Sequence, residues 1–86
     1  GAEYLASLQP VAVGADTWGV ESVPFKDPNV LWHGHQVLLA QNGIYIIENL
    51  DTAGLVRDGV TEFMFVLGQP RYKGAVQAII NPVAIR

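Results

Sequence analysis

Asn42-Gly43 separates two segments of different periodicity, and this junction constrains the fold more than any other feature of the chain. Before it, His33 to Gln41 reads as a helix, with His35, Leu38 and Leu39 on one face. After it, Ile44-Tyr45-Ile46-Ile47 is strongly β-forming and reads as a strand. Glycine can take the left-handed conformation that ends a helix, so Asn42-Gly43 predicts a stop and a return. The helix from 35 to 42 rises about 11 Å, at about 1.5 Å per residue. The strand from 44 to 48 returns about 13 Å, at about 3.3 Å per residue. The two lengths nearly cancel, so the helix start and the strand end should meet. The residues there are His35 and Glu48.

Both histidines of the chain lie at this helix start, in His33-Gly34-His35. Histidine and glutamate are ligands for zinc, manganese or iron. Residues two apart on a helix point about 200° away from each other, so His33 and His35 share a metal only if the segment is extended. The helix favours His35, which faces the packed side, and leaves the direction of His33 open. The plainer alternative is a capping or hydrogen-bonded core histidine beside a solvated glutamate.

An 86-residue chain is at most one small domain. It buries only about 60–65% of the surface that its unfolded form exposes. Cysteine is absent, so no disulfide supports it. Half the residues are hydrophobic and 15% are charged. This apolar excess predicts burial against something outside the chain. The net charge is −3 and the five Lys and Arg residues are scattered, which argues against nucleic acid as a partner. No apolar run approaches the roughly 20 residues that cross a bilayer, so no membrane role is expected. A soluble, cytoplasmic protein is the default expectation.

Elsewhere, residues 2–8 place Tyr4, Leu5 and Leu8 on one helical face, which looks like the tail of a longer helix stopped by Pro10. Val11 to Gly14 reads as a short buried strand. Residues 18–31 are punctuated by Pro24, Asp27-Pro28 and Asn29 and read as a loop able to pack over a site. Its aromatics, Trp18 and Phe25, either line an aromatic substrate pocket or plug a core. Leu50 to Val56 suits one or two helical turns, closed by Asp58-Gly59. Val60 to Leu67 reads as a strand buried on both faces. A last apolar segment, Ala75 to Ile80 and Val83 to Ile85, is broken by Asn81-Pro82, which implies a bend or an edge position. The order predicts a mixed α/β or α+β unit over residues 1–86.

Several of these pieces occur in a familiar order. Gly14-Ala-Asp16-Thr17, His35-Gln-Val-Leu-Leu and Asn42-Gly43-Ile-Tyr-Ile-Ile-Glu48-Asn49-Leu50 are followed by Thr61-Glu-Phe-Met-Phe-Val-Leu-Gly-Gln-Pro. The series resembles the C-terminal half of the cyclase family of metal-dependent hydrolases, which includes kynurenine formamidase and isatin hydrolase. The resemblance spans roughly residues 10–86. It implies a swivelling β/β/α domain with a mixed sheet and short helices. It also implies a divalent metal, zinc or manganese, that activates water against an amide carbonyl, with a small aromatic amide as substrate. His35 and Glu48 match the family's later His and Glu, which complete or support the metal site. The family's main motif, His-x-Gly-Thr-His-x-Asp, is absent from these 86 residues. The chain therefore looks like the C-terminal part of a larger domain, inactive alone. Its expected partner is the missing N-terminal half or another copy of itself. The competing expectation is a non-catalytic structural or oligomer-forming module built on the same fold.

Overall fold

A computed structural model describes all residues, Gly1–Arg86, as a mixed α+β chain that falls into two compact units, Gly1–Thr52 and Ala53–Arg86.

In the first unit, helix α1 spans Ala2–Ser7, with Glu3 in its first turn, where a negative charge suits the helix dipole. Gln9 ends it in a left-handed conformation (φ 52°), donating its N–H to Ala6 O at 3.0 Å. Pro10 has no N–H with which to add a second terminal bond, so the helix stops. Leu5 is half-buried, but Tyr4 and Leu8 are exposed, so the apolar face read over residues 2–8 is only partly used.

Strand β1, Ala12–Gly14, pairs in parallel with β2, Tyr45–Ile47, in the register Ala12↔Tyr45, Val13↔Ile46 and Gly14↔Ile47. Parallel partners require a crossover. Residues 15–32 form its irregular part, with no helix or strand, as their prolines predict. Helix α2 forms the regular part: an α-helical turn at His33–His35 runs directly into a π-helical segment, Gln36–Gln41. Helix α1 packs on α2, and the π segment packs on β2.

The π segment is closed by specific bonds. Asn42 Nδ2 donates to Val37 O at 2.7 Å, Gly43 N to Leu39 O at 3.0 Å, and Ile44 N to Leu38 O at 2.8 Å. Gly43 takes φ 65°, the left-handed stop expected there. The turn lets adjacent Val37 and Leu38 meet Ile44 and Ile47, and these four side chains are the buried apolar core. β1 is half-buried rather than fully buried. The edge of the sheet continues past β1: Ala15 N donates to Ile47 O and Leu50 N to Ala15 O, both at 3.0 Å, and Asn49 N to Thr17 O at 2.9 Å. Those bonds tie the segment after β2 to the start of the crossover loop.

In the second unit, α3 covers Ala53–Arg57. It ends at Gly59 (φ 63°), with Gly59 N bonded to Val56 O at 3.1 Å and Val60 N to Leu55 O at 2.9 Å. This reciprocal pair closes a helix whose next residue is left-handed. β3, Met64–Val66, pairs antiparallel with β4, Val83–Ile85. Pro82 directly precedes β4, consistent with a break there. Arg86, just beyond β4, pairs with Asp58 and with Gly54 O, and Arg57 reaches the other oxygen of Asp58. The expectation that residues 60–67 are buried on both faces is corrected. Only three of them are strand, and all six residues of the ribbon are exposed, because a two-stranded ribbon has nothing above or below it within its unit. The apolar stretch 75–80 is not a strand, and Val76 and Ile79 are fully solvated.

Candidate functional site

His35 sits in the first turn of α2, and Glu48 directly follows β2. The stop at Gly43 returns the chain as the rise-and-return lengths require. His35 Nε2 lies 3.5 Å from Glu48 Oε1. Glu48 is held from the other side by the Val20 N–H, which donates to the same oxygen at 3.3 Å. The neighbouring backbone is braced by Thr17 Oγ1, which donates to Gly19 O at 2.8 Å.

A third residue completes the cluster. Glu21, in the crossover loop, accepts the backbone N–H of His35 on Oε1 at 2.8 Å, and His35 Nδ1 lies 3.0 Å from that same oxygen. The imidazole is thus set between two carboxylates. The side chains of His35, Glu21 and Glu48 are 28%, 9% and 23% exposed, so the cluster is shielded but reachable. Burial alone would push the Glu21 carboxyl up. The hydrogen bonds from the His35 ring and backbone, the charge of His35 and the Gly34 N–H outweigh it, and the carboxyl titrates below its ordinary value. Glu21 is therefore an anion at neutral pH.

Aromatic rings flank the imidazole. Trp32, the residue before α2, takes a left-handed backbone (φ 55°) and meets His35 edge-on at a centroid distance of 5.5 Å. Phe25 meets Trp32 edge-on at 5.2 Å. Phe25, a candidate for the pocket wall, thus reaches the cluster through Trp32. Trp18, the other candidate, is 71% exposed.

His33 belongs to a different arrangement. Its Nε2 lies 2.5 Å from Glu3 Oε1 of α1. The hydrogen bond from His33 is the main reason that the Glu3 carboxyl titrates below its ordinary value. Helix geometry thus separates the two histidines: one ties α2 to α1, and the other faces the carboxylates.

The donor set tests the expected metal. Two ligands at about 2.1 Å from a tetrahedral zinc are about 3.4 Å apart, and the Nε2–Oε1 separation is 3.5 Å. The pair fits two corners of such a site. A catalytic zinc takes three protein ligands, and no group of three or more His, Cys, Asp or Glu side chains is arranged to hold a metal. His35 Nε2 and Glu48 Oε1 thus have the spacing of two such ligands with no third arranged beside them, and Glu21 is engaged with the far nitrogen of the ring.

Comparison of the chain with protein-family models, curated proteins and solved structures gives no match. No helix is long and apolar enough to cross a membrane.

Sequence reading singled out His35, Glu48 and Phe25 but missed Glu21 and Trp32. Glu21 lies in an irregular loop, where no periodicity assigns a direction to its side chain. Trp32 precedes the helix by one residue, and its left-handed backbone, rare for a large side chain, has no sequence signal.

Proposed function

We propose that His35 Nε2 and Glu48 are two donors of a divalent-metal site, zinc or manganese, in a metal-dependent hydrolase acting on linear or cyclic amides. The observation that carries this reading is the 3.5 Å gap between His35 Nε2 and Glu48 Oε1, with the other ring nitrogen engaged by Glu21. A neutral imidazole has a lone pair on one nitrogen only. A lone pair on Nε2 facing a carboxylate oxygen is an arrangement that a bridging proton, a water or a metal ion can occupy. The ordered resemblance to the cyclase family favours the metal.

The chemistry that a bound divalent ion supplies is an activated water and polarisation of the amide carbonyl. The protein's own residues prepare for it. His35 presents Nε2, Glu48 presents a carboxylate steadied by the Val20 N–H, and Glu21 occupies Nδ1. Trp32 and Phe25 form an aromatic wall beside the imidazole, suited to a flat substrate such as a small aromatic amide. The remaining donors and the general base belong to a partner element. That element is an N-terminal half bearing His-x-Gly-Thr-His-x-Asp, or a second copy of the chain.

The test is reconstitution. The 86-residue chain alone should show no amidase activity. Joined to such an N-terminal half and supplied with zinc or manganese, it should hydrolyse an aryl formamide, and His35→Ala should abolish most of that rate. Full activity in the His35→Ala protein would refute the assignment.

A second reading is supported by the β3–β4 ribbon, whose six residues are all exposed, Met64, Phe65, Val66, Val83 and Ile85 among them. It makes the chain a non-catalytic structural or oligomer-forming module. Metal content and elution volume on a sizing column separate the two: a metal-free oligomer favours the module, and a metal-loaded chain favours the hydrolase.

A further inference from the structure

We propose that Glu21 is the positioning residue of this site: it holds His35 in the tautomer that carries its proton on Nδ1, and Gly34 is the vacancy that lets it do so. The consequence for metal binding rests on the reading of His35 and Glu48 as donors. The tautomer itself does not.

One oxygen of Glu21 receives two groups of the same residue, the His35 main-chain N–H and the ring Nδ1. Bonds to a carboxylate are stronger than bonds between neutral groups. Two of them converging on one atom fix both the backbone and the rotation of the ring. The Glu21 oxygen that accepts the main-chain N–H at 2.8 Å faces Nδ1 at 3.0 Å, so in the neutral ring the hydrogen sits on Nδ1. Nε2 then carries the lone pair, and the ring orientation set by Glu21 turns it toward Glu48. The Trp32 edge contact closes another side of the ring. A second-sphere carboxylate on the far nitrogen of a metal-binding histidine performs the same task, and its loss costs about 10- to 100-fold in affinity.

Gly34 makes the approach possible. A Cβ at this position would lie 2.9 Å from Glu21 Oε1 and 3.3 Å from both Cδ and Oε2. Gly34 is buried, so the carboxylate lies directly against bare backbone. The group that would have to yield is the tip of a flexible side chain. Gly34→Ala should therefore displace the carboxylate and leave the helix in place. Neither residue carries a recognisable motif, yet together they account for the direction in which His35 points.

The experiment is a long-range 1H–15N correlation of the imidazole nitrogens in the 15N-labelled 86-residue protein. It is run as a pH series and read on the basic plateau, where the spectra no longer change, with His33 as internal reference. The wild-type His35 should show a protonated Nδ1 and a bare Nε2. Glu21→Ala and Gly34→Ala should both shift the ring toward the Nε2–H form that an unconstrained imidazole prefers. Glu21→Gln keeps a carbonyl oxygen that can accept from Nδ1–H and should preserve the wild-type pattern. If Glu21→Ala does not fold, the wild-type, Gln and Gly34→Ala spectra still decide the matter. A wild-type His35 protonated on Nε2, or a tautomer unchanged when the carboxylate is removed or displaced, would overturn the proposal. Zinc titration of the chain joined to an N-terminal half bearing His-x-Gly-Thr-His-x-Asp reads the other question. A Nδ1–H tautomer with no shift of the His35 signals on adding zinc to that joined protein would leave the role of Glu21 standing and refute the metal reading alone.

Discussion

His35 Nε2 and Glu48 Oε1 face each other at 3.5 Å across a helix–turn–strand return, although thirteen positions separate the two residues in the chain. The pairing is built from both sides. Glu21 fixes the ring from behind, and the Val20 N–H fixes the carboxylate.

The first prediction concerns that pair. Glu48→Gln removes the negative charge but retains an oxygen able to accept from Val20, so the fold should persist. Zinc affinity of the chain, followed by calorimetry, should fall at least as far as for loss of an outer carboxylate, about 10- to 100-fold. His35→Ala should lose it altogether. His33→Ala, which removes the partner of Glu3 and not a donor, should leave it unchanged. Equal losses in the His33 and His35 variants would mean that zinc binds elsewhere.

The two carboxyls held below their ordinary values make stability depend on pH in a defined direction. Glu21 is opposed by burial but lowered overall by its bonds to His35, and Glu3 is lowered first by its bond to His33. A carboxyl whose folded pKa is depressed stabilises the fold fully above its unfolded value, and that contribution is lost as pH falls through the folded value. The unfolded value is about 4.3. The contribution of these two carboxyls to the urea midpoint should thus be complete above about pH 5 and should fall away below about pH 4. In Glu21→Gln the acid limb should be shallower, because the remaining dependence comes from Glu3 and other carboxyls. An acid limb as steep as that of the wild type would show that Glu21 gains nothing from its contacts.

How much of this arrangement could be read from the residues depends on how local its causes are. The helix stop at Gly43, the strand that follows and the separate directions of His33 and His35 arise from chain geometry within about 15 residues, and those expectations match the structure. The return of Glu48 to His35 is the sum of two such local lengths. Glu21 acts on a residue fourteen positions away through an irregular loop, so no period or motif announces it. The π-helical form of Gln36–Gln41 was equally hidden: it depends on the Asn42 side chain reaching Val37 O and on Ile44 bonding to Leu38 O. In the second unit the inference failed in the opposite sense. Val60 to Leu67 has the composition of a buried strand. Burial is decided by what lies across the sheet, however, and the β3–β4 ribbon has no layer on either face in its own unit.

The four-residue core makes a third prediction. Leu38 is 1% exposed and packs where the π segment meets β2. Leu38→Ala should cost about 2–5 kcal/mol, a large share of the roughly 5–15 kcal/mol that holds a typical small domain. Denaturant unfolding should show the loss, and the amide signals of β1 and β2 should broaden or vanish together. Val56→Ala, at an exposed position of α3, serves as the control and should change stability by no more than about 0.5 kcal/mol.

The last prediction tests the turn that makes the site. Gly43 adopts φ 65°, and a Cβ there would meet no atom within 4 Å. Any cost of Gly43→Ala therefore comes from the backbone and not from crowding. A left-handed conformation costs an L-residue about 1–2 kcal/mol, so Gly43→Ala should destabilise the first unit by about that amount. Asparagine tolerates the left-handed region better, so Gly43→Asn should recover part of the loss. The functional readout is separate. If the substituted residue relaxes toward negative φ, the strand no longer returns on the same path, and Glu48 leaves His35. A nuclear Overhauser contact between His35 Hε1 and the Glu48 Hγ protons should weaken in Gly43→Ala and reappear in Gly43→Asn. Retention of that contact with full stability in the alanine protein would show that the return is imposed by the β1–β2 pairing and not by the turn.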